Sequence, residues 1–145
     1  MFVWQLDDPR SKTSAWELLM KSLTLLFFAI ATPLIFAADP VQHVDANGAA
    51  KLLEKGGVTL VDVRTKDEFS EGHLKDAINI DLLEPSFEQQ LTKLDKTQPV
   101  LVHCQAGGRS TRSLKIFEKL GFTRIIHLDG GYGGWVEDGK PVVKP

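Results

Sequence analysis

The segment Cys104-Gln105-Ala106-Gly107-Gly108-Arg109-Ser110-Thr111 holds the residues best suited to chemistry. Its thiol directly follows the apolar run Val100-Leu101-Val102-His103 and directly precedes a stretch with helical spacing. A thiol reacts, or holds further sulfur, as an anion, and free cysteine titrates at ~8.5. Two features here lower that value: the N-terminus of the following helix and the guanidinium of Arg109. Gly107 and Gly108 let backbone N–H groups turn inward to form an anion-holding nest, which bulky residues would block. Gln105, Ala106 and Ser110 supply further amides to this candidate binding loop. Arg112 adds positive potential or faces water, and the solvated role is the more ordinary one. The same run also fits a structural cysteine buried in a turn, since free cysteines pack as small hydrophobes.

Positioning such a loop requires a strand behind it and a helix ahead of it. Val100–His103 supplies the strand and Arg109–Leu120 the helix, with Leu114, Phe117 and Leu120 as its apolar stripe and Gly121 as its stop. Lys119 suits the C-terminal end of that helix dipole. Upstream, Asp45 caps a helix that carries Ala49, Leu52 and Leu53 and ends at Gly56-Gly57. Val58–Val63 reads as a buried strand, Asp67–Glu71 as one helical turn stopped by Gly72, and Ala77–Ile80 as a very short strand. Ser86–Leu94 reads as a helix with Phe87, Leu91 and Leu94 on one face. Arg124–Leu128 is another strand, and Gly130–Asp138 a turn and short helix bearing Trp135. Strands that are apolar on both faces and alternate with helices predict an α/β fold: a small parallel sheet with helices on both faces. Ligands of such sheets bind beyond the carboxyl ends of the strands, where Cys104 falls.

The 145 residues suit one domain, and a net charge of −2 carries no basic excess for nucleic acid. One cysteine excludes an internal disulfide and a cysteine-based zinc site. His43, His73, His103 and His127 lack ligand spacing, so no metal is expected and each reads as a packing or surface residue. Residues 20–38 run from a basic start at Met20-Lys21 through an apolar stretch to Ala37-Ala38, the order of a secretory signal peptide cleaved near those alanines. A membrane anchor and a buried helix are the rival readings; the stretch is short for a span and contains Pro33. Residues 1–19 include Asp7, Asp8 and Glu17, which do not suit the start of a signal, so translation is expected to begin at Met20. A periplasmic or secreted domain with no stable membrane span after cleavage is therefore expected.

Three stretches together resemble the rhodanese family. Cys104, Gly107 and Arg109 match its active-site pattern Cys-x-x-Gly-x-Arg. Val61-Asp62-Val63-Arg64, Glu68-Phe69, Gly72-His73-Leu74 and Ala77-Ile78-Asn79-Ile80 resemble its early signature. Gly121-Phe122, Leu128, Gly130-Gly131, Trp135 and Gly139-Lys140-Pro141-Val142 resemble its closing signature, so the likeness covers residues 41–143. Asp76 stands where the family usually has Gly, and Gln105 where many members carry Arg.

The resemblance implies a sulfurtransferase. Cys104 would take sulfur from a small donor such as thiosulfate, hold it as a persulfide and pass it to cyanide or a thiol, with no cofactor. Amides from Gln105 to Ser110 would stabilise the charged sulfur, and Arg109 would orient the ring. Four residues separate Cys104 from Arg109, the sulfurtransferase spacing; related phosphatases and arsenate reductases use one more. The alternatives are a persulfide carrier serving a protein partner, a non-catalytic domain, and a cysteine-dependent phosphatase or arsenate reductase. Asp62 and Arg64 are supporting residues. Asp62 either ties its strand end to the loop by pairing with an arginine or caps a turn. Arg64 either lines the pocket mouth or faces solvent, the latter preferred. His73 is expected to fix a turn, Phe69 and Trp135 to belong to the core, and His103 to point away from the thiol.

Overall fold

The computed structural model describes residues 41–144. The leader read at 20–38, and the residues ahead of it, lie outside the described residues. Five strands, β1 (Val41–Val44), β2 (Thr59–Asp62), β3 (Ile78–Asn79), β4 (Val100–His103) and β5 (Ile125–Leu128), form one parallel sheet in the order β1-β5-β4-β2-β3. Five helices alternate with them: α1 (Ala46–Lys55), α2 (Lys66–Glu71), α3 (Phe87–Leu91), α4 (Gly108–Lys119) and α5 (Gly131–Glu137). The α/β expectation holds.

Side-chain alternation sorts the core into two faces. On one side of β4, Val100 and Val102 pack with Phe87 and Leu91 of α3 and Leu114 and Phe117 of α4. Leu101 points the other way, to Ala46 and Ala49 of α1 and Trp135 of α5. Every residue of β4 and β5 is buried, as strands covered on both faces must be. Among the described residues, no helix is long and apolar enough to cross a membrane.

Local signals explain most boundaries. Asp45 accepts the Gly48 amide at 2.7 Å and starts α1. Thr65 and Glu68 form a reciprocal capping box that starts α2. The helix expected over Ser86–Leu94 stops at Leu91. Lys93 and Leu94 make shorter-range bonds to Gln90 and Leu91, tightening the last turn, and Leu94 still packs on the core. Asp76, at the usual glycine position, has a φ of +62°, which a short polar side chain tolerates. Strand β1 is an addition to the sequence reading. It is an edge strand with polar Gln42 and His43 between its valines, a pattern too short and mixed to announce itself.

Candidate active site

Strand β4 ends at His103, and the chain turns at once into Cys104, only 1% exposed. The loop then curls around the sulfur: the Ser110 hydroxyl donates to it at 3.4 Å, and the amides of Ser110, Ala106 and Arg109 face it closely enough to favour its anion. Burial pushes the Cys104 thiol up, but these four donors outweigh it and bring it below the ordinary thiol range. Cys104 also belongs to the apolar cluster that includes Val63, Val102 and Leu114, so its surroundings combine hydrocarbon with amides and a hydroxyl.

The loop holds this curl because its carbonyls are engaged on the outside. The Tyr132 amide donates to the Cys104 carbonyl at 2.7 Å, and the Gly133 amide to the Gln105 carbonyl at 2.8 Å. Both donors belong to the first turn of α5, whose free N–H groups would otherwise lack acceptors. Gly131 makes the approach possible: a Cβ there would lie 2.4 Å from the Cys104 carbonyl oxygen. Within the loop, Gly107 has a φ of +89° and precedes the first residue of α4. Gly108 differs from expectation. A Cβ at Gly108 would meet open space, so only Gly107 is required to be glycine.

Arg109 is clamped. Its two terminal nitrogens each lie 2.6 Å from an oxygen of Glu68. The fork from Arg109 holds the Glu68 carboxyl down to about 2, against the opposing effect of burial. The unopposed charge expected beside the thiol is therefore largely matched by a carboxylate. In the sequence Glu68 stands out only as a signature residue; the Thr65-x-x-Glu68 spacing of a capping box is the signal that could have singled it out.

Arg64 overturns its solvated reading. Its side chain is 2% exposed and sits against a fully buried Asp62, with Nη2 at 2.7 Å and Nε at 2.9 Å from Oδ2. Nη2 also donates to the Gly72 carbonyl at 2.8 Å, Nη1 to Gln105 Oε1 at 3.2 Å, and the guanidinium lies 4.1 Å over the Tyr132 ring. Asp62 thus pairs with an arginine, and the pair braces the end of β2, the Gly72 turn and the exposed Gln105. Beside the loop, a polar groove of about 230 Å³ is lined by Arg64, Glu68, Gly72, Gln105, Tyr132 and Lys144.

The remaining expectations divide. His73 accepts a turn role, 3.0 Å from the Phe69 carbonyl and stacked on the half-buried Phe69 ring. Trp135 is buried and donates to the Pro141 carbonyl, and Arg112 is exposed. His103 turns its Nε2 toward Asp62 at 3.7 Å, without a hydrogen bond there; burial holds it below the ordinary histidine range. The scattered look of the histidines is corrected. Pairing of β1 with β5 sets His43 opposite His127, and Nδ1 of each lies within 2.9 Å of the same Asp129 oxygen. Both Nδ1 atoms are engaged by that carboxylate. Nε2 of His127 contacts Ser110 Oγ at 2.9 Å. Neither His127 nor Asp129 was foreseen at the site.

Residues 45–138 match the family described as the Rhodanese-like domain. The chain is 30% identical over 105 residues to a thiosulfate sulfurtransferase GlpE of Actinobacillus pleuropneumoniae, covering 72% of this chain and 95% of the relative. A sulfurtransferase of Allochromatium vinosum is 29% identical over 107 residues, covering 72% and 97%. A crystal structure of a rhodanese-related protein from Thermoplasma volcanium superposes with a TM-score of 0.63 at 26% identity, covering 70% of this chain and 97% of that one. Sequence, fold and loop agree, and this chain belongs to the rhodanese family.

Proposed function

We propose that the domain transfers sulfane sulfur through a persulfide on Cys104. The Cys104 thiolate attacks the outer sulfur of a donor such as thiosulfate. A new S–S bond forms, the donor's S–S bond breaks, and sulfite leaves with the electron pair. A thiophilic acceptor, cyanide or a thiol, then attacks the outer sulfur and Cys104 departs as thiolate. Splitting the transfer into two displacements avoids a direct exchange between donor and acceptor. The observation that carries this reading is a buried thiol that accepts a hydrogen bond from the Ser110 hydroxyl and is drawn below the ordinary thiol range by the facing amides of Ala106, Arg109 and Ser110. The named relatives support the same class. Gln105, Ala106, Gly107, Gly108, Arg109 and Ser110 form the binding ring, and Asp62 and Arg64 brace it from outside. The six-residue ring suits one added sulfur better than a tetrahedral oxyanion, which disfavours phosphate ester hydrolysis.

One observation favours a second reading, a persulfide carrier for a protein acceptor. Arg64 and Arg109 each face a carboxylate, leaving little net positive charge to draw in a dianion. The order of residues in the 20–38 stretch supports export, and the protein's mass in its native compartment tests it.

Incubation with thiosulfate should add about 32 Da, the mass of one sulfur, to the protein, and Cys104→Ser should abolish the gain. An unchanged wild-type mass refutes the persulfide. Steady-state thiocyanate formation separates enzyme from carrier: multiple turnovers support the enzyme, and loading without turnover supports the carrier.

A further inference from the structure

The Ser110 hydroxyl has a single proton and three acceptors within reach: the Gly107 carbonyl at 2.8 Å, His127 Nε2 at 2.9 Å and Cys104 Sγ at 3.4 Å. The carbonyl does not need it. Thr111 already donates to the Gly107 carbonyl through both its amide and its hydroxyl, each at 2.9 Å. With two other donors already on that carbonyl, the Ser110 proton is free to turn to the histidine or the sulfur.

Asp129 decides which face of His127 is bare. Nδ1 lies 2.7 Å from Asp129 Oδ1, so that nitrogen carries the hydrogen and Nε2 of the neutral ring is an acceptor. Asp129 is held as a carboxylate: burial opposes this, but hydrogen bonds from His43 and His127 prevail. His127 is itself 3% exposed, while His43 and Asp129 are each about half-exposed and open to water.

We propose that Asp129, His127 and Ser110 form a proton relay that draws the proton from Cys104, with His127 as a positioning residue acting through Ser110. The Sγ–H bond breaks as an Oγ–H bond forms, and the former Oγ–H bond breaks as Nε2–H forms. The products are a thiolate, an intact hydroxyl and an imidazolium facing the Asp129 carboxylate; no electron changes hands. The direction of hydrogen bonding reverses with the transfer. Nε2–H now donates to Ser110, whose own proton is released to the sulfur anion. The relay thus supplies the proton acceptor first and a sulfur-directed donor afterwards.

The ionisable groups facing His127 are few. His43 on β1 is edge-on with ring centroids 5.1 Å apart, Asp129 follows β5, His103 lies on neighbouring β4, and Cys104 is reached through Ser110. On the α4 side, Thr111 Oγ1 lies 3.4 Å from Nε2 and carries no charge.

This inference rests on Cys104 being the reacting thiol, but it is tested without any sulfur donor. The full chain is alkylated with iodoacetamide across pH 5 to 9, and Cys104 modification is followed by mass. His127→Gln keeps a polar group of similar reach but cannot take a proton. Its alkylation midpoint should rise by about one pH unit, slowing the reaction about tenfold below the midpoint. Asp129→Asn, at a half-exposed position, should shift it in the same direction by less. Midpoints equal to wild type in both variants overturn the relay. So does a rate lowered by one factor at every pH, which marks a packing role. If His127→Gln does not fold, an unmoved midpoint in Asp129→Asn overturns it. Failure of thiosulfate loading with shifted midpoints would sink the sulfur-transfer reading and leave the relay intact.

Discussion

Replacing Glu68 by glutamine should destabilise the domain in a pH-dependent way. The substitution keeps the shape of the side chain but removes the charge that Arg109 grips with two 2.6 Å contacts. It also weakens the capping box at the start of α2. The folded carboxyl is held at about 2, against an ordinary 4.5. At ~1.36 kcal/mol per pH unit, that gap is an upper limit of about 3.4 kcal/mol. Glu68 is 31% and Arg109 20% exposed, so water screens the pair, and a loss of about 1–2 kcal/mol is expected at pH 7. The folded state favours the ionised form. Its advantage is complete above pH 4.5 and fades as pH falls toward 2. Urea unfolding of wild type and Glu68→Gln should therefore show a gap at pH 7 that narrows steadily below pH 4.5. Subtracting one protein from the other cancels the titration of shared carboxyls. A gap of the same size at pH 7 and pH 2.5, or none at pH 7, would refute the clamp.

Asp62→Asn leaves Arg64 buried without a carboxylate and should cost about 3–5 kcal/mol, read from the shift of the urea midpoint. A loss under about 1 kcal/mol would mean that the Gly72 carbonyl and Tyr132 ring suffice for the guanidinium. Gly131→Ala forces a methyl group against the Cys104 carbonyl, so sulfur loading by thiosulfate should slow at least about tenfold in a time course by mass. Loading at the wild-type rate would show that the grip of α5 on the loop is dispensable.

Much of the architecture was legible because its signals are local. Apolar runs marked β2, β4 and β5, the Leu114–Phe117 stripe marked α4, and the cysteine followed by glycines marked the loop. What escaped depends on distant pairing. Strand β1 has two polar residues in four and becomes a strand only beside β5. That same pairing brings His43 to His127, across most of the chain. Arg64 read as solvated because arginine usually is; its partner two residues upstream becomes decisive only when the end of β2 is sealed by the Gly72 turn. Glu68 falls within the helical turn read at Asp67–Glu71, but nothing local ties it to Arg109, which lies far along the chain.

The depth of Cys104 also governs its fate under oxidation. A disulfide between two copies of the chain would need their cysteine Cα atoms within 4.4–6.8 Å. Cys104 is only 1% exposed at the base of its loop, which keeps two such backbones from approaching that closely, and the sequence offers no second thiol for an internal bond. Oxidants slim enough to enter can still act, carrying the sulfur up the ladder from sulfenic acid. Covalent dimers are thus a poor outcome for this protein, and small thiols can restore the sulfur only from the sulfenic step.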